Sequence, residues 1–209
     1  SAPTPHHRHC RWLSYELKID YITEDIKELI KESLEGTERV SKIVQHLKSF
    51  SRIDEGADLR HADINESIER TLNIVWNEIK YKAKVIKEYG DLPKISCYPQ
   101  QLTQVFMNLL VNASQAIEKE GEIFIKTWYD GDYICISIGD TGCGIKEEYL
   151  NKIFEPFFTT KEVGIGTGLG LSIIYDIIKK HKGDITVEST LGKGTVFTVK
   201  IPVVVSSES

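Results

Sequence analysis

The feature that most restricts this chain is a pair of alternating stretches in its C-terminal half. "GEIFIKTWYD", "GD" and "YICISIGD" over 121–140 alternate apolar and polar residues on both sides of a short turn. "DITVEST", "LGKG" and "TVFTVKIPV" over 184–203 repeat the pattern. Each reads as a β-hairpin with one apolar face, and such a face must be covered by a second layer. The covering helices are legible as well. Asp63, three residues before Glu66, predicts a capped helix to about Tyr81, and Pro99 opens a second that runs to about Lys119. A short helix is expected near Lys146 to Lys152 and a longer one from about Leu169 to His181. "KVIKEY" and the start of "PKISCYPQQL" are strand-like. Without the short helix, the order is helix, strand, strand, helix, two strands, helix, two strands. That order predicts an α+β sandwich, a mixed sheet with helices on one face.

A different period precedes it. Ile22, Ile26, Leu29, Ser33, Gly36, Val40, Ile43, Leu47 and Phe50 recur alternately four and three residues apart, and Ile30, Leu34 and Val44 widen the stripe. A continuous helix over this stretch would span roughly 40 Å and would have to pack on other helices. No second segment of that quality precedes the sandwich, which predicts a bundle made with a partner chain. Gly36 costs about 1 kcal/mol inside a helix, and with Ser33 it marks the place where a hairpin turn could begin instead. The expected organisation is a disordered or cloning-derived leader over 1–18, a helical segment over 19–53, a polar linker over 54–62 and the sandwich over 63–205.

Composition narrows the function. With 41% hydrophobic residues, 27% charged residues and a net charge of −5, the chain has no basic excess to suggest nucleic acid or anionic lipid as a partner. No apolar run is long enough to span a bilayer, and no apolar signal-peptide core is present, so a cytoplasmic piece without membrane contact is expected. Cys10, Cys97, Cys135 and Cys143 lack metal-site spacing and disulfide density. His6, His7 and His9 fit an unstructured tail better than a metal site.

Four stretches carry candidate chemistry. In "QVFMNLLVNASQAI", Asn108 and Asn112 lie one turn apart on an otherwise apolar helix, where an amide must find a partner. An amide oxygen suits magnesium held beside substrate phosphates, although hydrogen bonds to neighbouring loops would serve equally. "GDTGCGI" sets Asp140 at a strand end, able to accept from an exocyclic amine, with Gly142 and Gly144 allowing a flat ring to approach; alone, it also fits a tight turn. "FEPFFTTK" followed by "GIGTGLGLSI" joins Phe154, Phe157, Phe158 and Lys161 to a glycine-rich helix start, a pattern suited to a lid over phosphates. In "GKGTVF", Thr195 satisfies strand propensity and could also face a ligand.

Taken in order, "NLLVNA", "DTGCGI", "FEPFFTTK", "GTGLGLSI" and "GKGTVF" resemble the N, G1, F and G2 boxes and the closing threonine strand of sensor histidine kinases of two-component systems. The resemblance covers about Asp63 to Val203 and implies a GHKL (Bergerat-type) α/β sandwich that binds ATP with Mg2+. It implies Asn112 as the main magnesium ligand with Asn108 beside it, and Asp140, Gly142, Gly144, Ile145 and Thr195 at the base. Lys161, Gly166, Thr167, Gly168, Leu169 and Gly170 would then face the phosphates. Related ATPases carry a water-activating glutamate one turn before the magnesium asparagine. Here that position is Asn108, and an amide cannot take a proton from water. The resemblance therefore implies phosphoryl transfer to a protein histidine, relay to a response-regulator receiver domain, and a homodimer through the helical segment. A silent nucleotide-binding module and a GHKL ATPase are the alternatives. The family's acceptor motif, a histidine followed by an acidic residue, does not occur before Ser33, and His46 lies in what resembles the second helix of the hairpin. A chain cut just after its acceptor, or one that has lost it, is expected. Cys143, inside the nucleotide turn, raises the expectation of thiol sensitivity.

Overall fold

A computed structural model describes residues 19, 21–34, 36–37, 58–161 and 166–203. It divides into two compact units, 1–45 and 46–209. In the first unit, residues 21–34 form helix α1, and 36–37 are also helical, so the turn considered at Gly36 does not begin there. Thr37 donates its hydroxyl to Ser33 O, continuing the helical pattern. Ile22, Ile26, Leu29, Ile30 and Leu34 are each at least half exposed. This is an apolar stripe with no cover among the described residues. The rest of the seam, from Val40 to Phe50, lies outside them, as do residues 1–18.

The second unit runs β1 (Arg60–Ala62), α2 (Ile64–Ile79), β2 (Ala83–Tyr89), β3 (Ile95–Cys97), α3 (Pro99–Ala116), β4 (Gly121–Tyr129), β5 (Tyr133–Asp140), α4 (Glu147–Leu150), α5 (Gly170–Lys180), β6 (Asp184–Thr190) and β7 (Gly194–Pro202). The main sheet has the order β2-β4-β5-β7-β6. Only β2 and β4 pair in parallel, which makes the sheet mixed, as expected. Two details differ from the sequence reading. Residues 60–62, read as linker, form β1, and β3 leaves the main sheet to pair with it. A three-residue polar strand carries no periodic signal, so this pairing could not be anticipated.

Local chemistry sets the boundaries. Asp63 caps α2 by accepting from the Glu66 amide at 3.0 Å, while the Glu66 carboxylate turns outward to Arg70 instead of closing the box. Pro99 occupies the first turn of α3, where its missing N–H costs nothing. That helix stops at Ala116, short of Lys119. The amide of Cys143 bonds to Ala116 O at 2.9 Å, so a loop distant in sequence caps the helix in place of another turn. At the β4–β5 turn, the Asp130 carboxylate accepts from the amides of Asp132 and Tyr133 at 3.2 and 2.8 Å.

The alternating strands turn Ile123 and Ile125, then Ile134, Ile136 and Ile138, then Phe197, Val199 and Ile201 toward the helices. Ile68, Leu72, Val75 and Ile79 of α2, Leu102, Phe106 and Leu109 of α3, and Ile173, Ile174, Ile177 and Ile178 of α5 complete the core. Each buried isoleucine contributes about 1.5–3 kcal/mol of transfer free energy, enough in sum to hold α3 and the ends of β5 and β7 in fixed register. No described helix is long and apolar enough to cross a membrane.

Candidate functional site

Register brings the first cluster together. Asp140, the last residue of β5, pairs with Thr195 near the start of β7. Both are buried, and the Asp140 carboxylate accepts from the backbone amides of Gly142, at 2.8 Å, and Thr195. Burial pushes its pKa above the ordinary carboxylate value, and the two amide donors pull against that shift. Gly142 packs on the C-terminal end of α3, and Gly144 turns with φ +70° against Thr190. Cys143 is tied on both sides, its amide to Ala116 O and its carbonyl to the Gly192 amide at 2.7 Å. The Ile145 amide bonds to Ser189 Oγ at 2.8 Å. Thus Asp140, Gly142, Gly144, Ile145 and Thr195, expected together, are together.

Two residues here escaped the sequence reading. Ser189 joins Ile145, Gly194 and Thr195, yet a serine in a strand has no signal of its own. Gly194, with φ +116°, brings the hairpin backbone under β5, and a Cβ there would lie 1.9 Å from Asp140 O. The "GKG" of the turn was the available hint.

Along α3, the second cluster is looser. Asn108 donates through Nδ2 to Gly170 O at 3.4 Å, which leaves its Oδ1 unused among the described residues. Asn112 is half-buried, and its amide has no hydrogen-bond partner among the described residues. One turn further, Gln115 accepts from Lys161 Nζ. Desolvation lowers the Lys161 ammonium below the ordinary lysine range, and Cys143 nearby opposes the shift. Lys161 therefore sits against α3, bonded to an amide, rather than free.

Across the glycine run, Gly166 and Thr167 are half-buried, Leu169 caps α5 and is buried, and Gly170 begins the helix. Phe157 donates its amide to Gly168 O at 2.9 Å, has φ +68° and leaves its ring 66% exposed. Gly168, at φ +67°, fits beneath it, where a Cβ would come within 2.3 Å of the Phe157 carbonyl carbon. Among the described residues, nothing lies within 4 Å of a Cβ built on Gly170. Gly164 lies outside the described residues.

The chemistry follows from the two clusters. A buried carboxylate accepts hydrogen bonds at one end. Amide oxygens and the first-turn N–H groups of α5 suit a cation and an anion at the other. No group of three or more His, Cys, Asp or Glu suited to holding a metal occurs among the described residues.

A mixed-sheet sandwich with a buried carboxylate at the end of β5 and two amides along α3 has the donor set of a nucleotide-binding module. Comparison with known proteins makes this specific. Residues 97–205 match the family of histidine kinase-, DNA gyrase B- and HSP90-like ATPases. The signal transduction histidine-protein kinase AtoS of Escherichia coli (strain K12) is 38% identical over 180 residues, covering 85% of this chain and 29% of AtoS. The solved catalytic domain of the histidine kinase ThkA is 33% identical, with TM-score 0.63, covering 70% of this chain and 98% of that one. A second ThkA structure, in complex with the response regulator protein TrrA, is 27% identical with TM-score 0.68 and covers 82% of this chain and 50% of that one. The chain belongs to this ATPase family and carries the catalytic domain of a two-component sensor histidine kinase. It spans less than a third of AtoS.

Proposed function

We propose that the catalytic unit, over 63–205, binds ATP with Mg2+ and transfers the γ-phosphoryl group to a histidine of a dimerisation helix, for relay to a receiver-domain aspartate. The observation that carries this reading is Asn108. An amide occupies the position from which a carboxylate would activate water, and it is tied by its nitrogen to the lid end at Gly170. Asp140 and Thr195 receive the base, with Gly142, Gly144 and Ile145 forming the turn beneath it. Gly166, Thr167, Gly168, Leu169 and Gly170 face the phosphates, and Lys161, now bonded to Gln115, turns to them when they bind.

Asn112 fits magnesium because its amide is unspent, and Asn108 Oδ1 would stand beside it. When bound, the ion neutralises phosphate charge; the protein's own part is to position the donor and exclude water. The TrrA-bound ThkA structure supports a receiver partner, and the exposed stripe of α1 supports a homodimer through residues 19–53. The free thiols Cys97, Cys135 and Cys143 suit the cytoplasm, where ATP is the available donor.

Titration with ATP, in magnesium and in EDTA, for the chain and Asn112→Ala tests the binding. Supplying a histidine-bearing dimerisation domain in trans tests the transfer. Magnesium-dependent binding lost in the variant, and an acid-labile phosphoryl group on the acceptor, are expected. Steady phosphate release without acceptor would instead make this an ATPase, and binding with no transfer would make it a regulatory module.

A further inference from the structure

Ser189 Oγ lies 2.8 Å from the Ile145 amide nitrogen, 2.9 Å from Gly194 O and 2.9 Å from Thr195 Oγ1. A hydroxyl has one proton and two lone pairs, so these three contacts saturate it in one arrangement only. Ile145 N–H can only donate to it. Gly194 O can only accept, so it takes the serine's proton. The remaining lone pair must then receive the proton of Thr195, which leaves the threonine oxygen with lone pairs and no proton to offer. Asp140, whose carboxylate already accepts from the Thr195 amide, presents lone pairs beside it.

We infer that Ser189 is a positioning residue that holds the Thr195 proton inward and so makes the base end of the site an acceptor-only surface, selecting a purine with a 6-amino group over one with a 6-oxo group. The inference rests on the reading above that the base sits at Asp140 and Thr195. An exocyclic amine meets this surface with donors, whereas a 6-oxo group opposes lone pair to lone pair. Freed from Ser189, Thr195 could turn its proton to a 6-oxo group, and the penalty would fall.

The experiment is titration of the chain and of Ser189→Ala with ATP and with inosine triphosphate, both with magnesium. The wild type is expected to prefer ATP, and Ser189→Ala to lose about tenfold of that preference, one hydrogen bond's worth. Ser189→Thr, which keeps the hydroxyl, is expected to restore it. A merely structural role would weaken both nucleotides together and leave their ratio unchanged, which would overturn the inference. Should Ser189→Ala not fold, Thr195→Val decides the matter, because retention of full discrimination without the threonine hydroxyl also overturns it. Failure of the wild type to bind either nucleotide would remove the nucleotide reading itself, an outcome distinct from an unchanged ratio.

Discussion

Around Asp140, the hydrogen bonds that shape the site are 2.7–2.9 Å long and find their partners within the chain: Gly142, Ser189, Gly192 and Ala116 all contribute. Around Asn112 the opposite holds. The Asn108 bond to Gly170 stretches to 3.4 Å, the Leu169 amide reaches Thr167 Oγ1 at 3.5 Å, and the Asn112 amide bonds to no described residue. Among the described residues, the first end is closed by bonds within the chain, whereas the second leaves the Asn112 side-chain amide and Asn108 Oδ1 unused. On the proposed reading, the difference lets a single domain recognise a base with a fixed surface and still close on phosphates.

Glycine substitutions break this comparison most sharply. Gly194→Ala sets a Cβ 1.9 Å from Asp140 O at φ +116°, so we expect at least about 3 kcal/mol of lost stability and no nucleotide binding. Gly170→Ala meets no described residue within 4 Å in the first turn of a helix, and up to about 1 kcal/mol of gained stability is expected. Urea denaturation of both variants checks the pair, and similar losses at the two positions would show that the ends are equally rigid.

Asp140→Asn sharpens the comparison by separating function from stability. Loss of a charged acceptor should weaken ATP binding by about tenfold to a hundredfold, measured by calorimetry. Stability should not fall with it. Because burial raises the folded-state pKa of Asp140, protonation favours the folded state. Its contribution is complete below the ordinary carboxylate value and is lost as the pH rises through the raised value. The uncharged asparagine escapes that loss, so the variant should be at least as stable as the wild type at neutral pH. A clear drop in its melting temperature would contradict this.

The smallest effect concerns the far ends of the two helices that frame the site. His181, the C-cap of α5, accepts from the Tyr98 amide at 3.1 Å, and its Nδ1 lies 2.8 Å from Ile177 O. Both ring nitrogens are therefore used in the neutral form. Burial lowers its pKa, opposed by the Ile177 bond and aided by Lys180. The resulting stability is present above the ordinary histidine value and is lost as the pH falls through the lowered value. His181→Gln should flatten that part of the stability profile, and an unchanged profile would sink the assignment.

The sequence carried the sandwich because its hairpins alternate strictly and its helices are capped or opened by Asp63 and Pro99, signals that act within a few residues. It carried most of the candidate site for a similar reason, since Asn108 and Asn112 on one helix face, and Asp140 ahead of two glycines, are local patterns. What it hid depends on contacts distant in sequence. Ala116 ends α3 because Cys143 arrives from another loop, β1 exists only as the partner of β3, and Ser189 matters only because Ile145, Gly194 and Thr195 converge on it. The positive φ of Phe157 likewise follows from its pairing with Gly168.

Backbone hydrogen exchange of the free chain and of the chain with Mg-ATP tests the central claim most directly. The account predicts that amides over 140–145 and 189–195 exchange slowly in both states, while those over 166–172 become protected only when nucleotide is present. Fast exchange at 140–145 in the free chain, or no added protection at 166–172 with Mg-ATP, would contradict it.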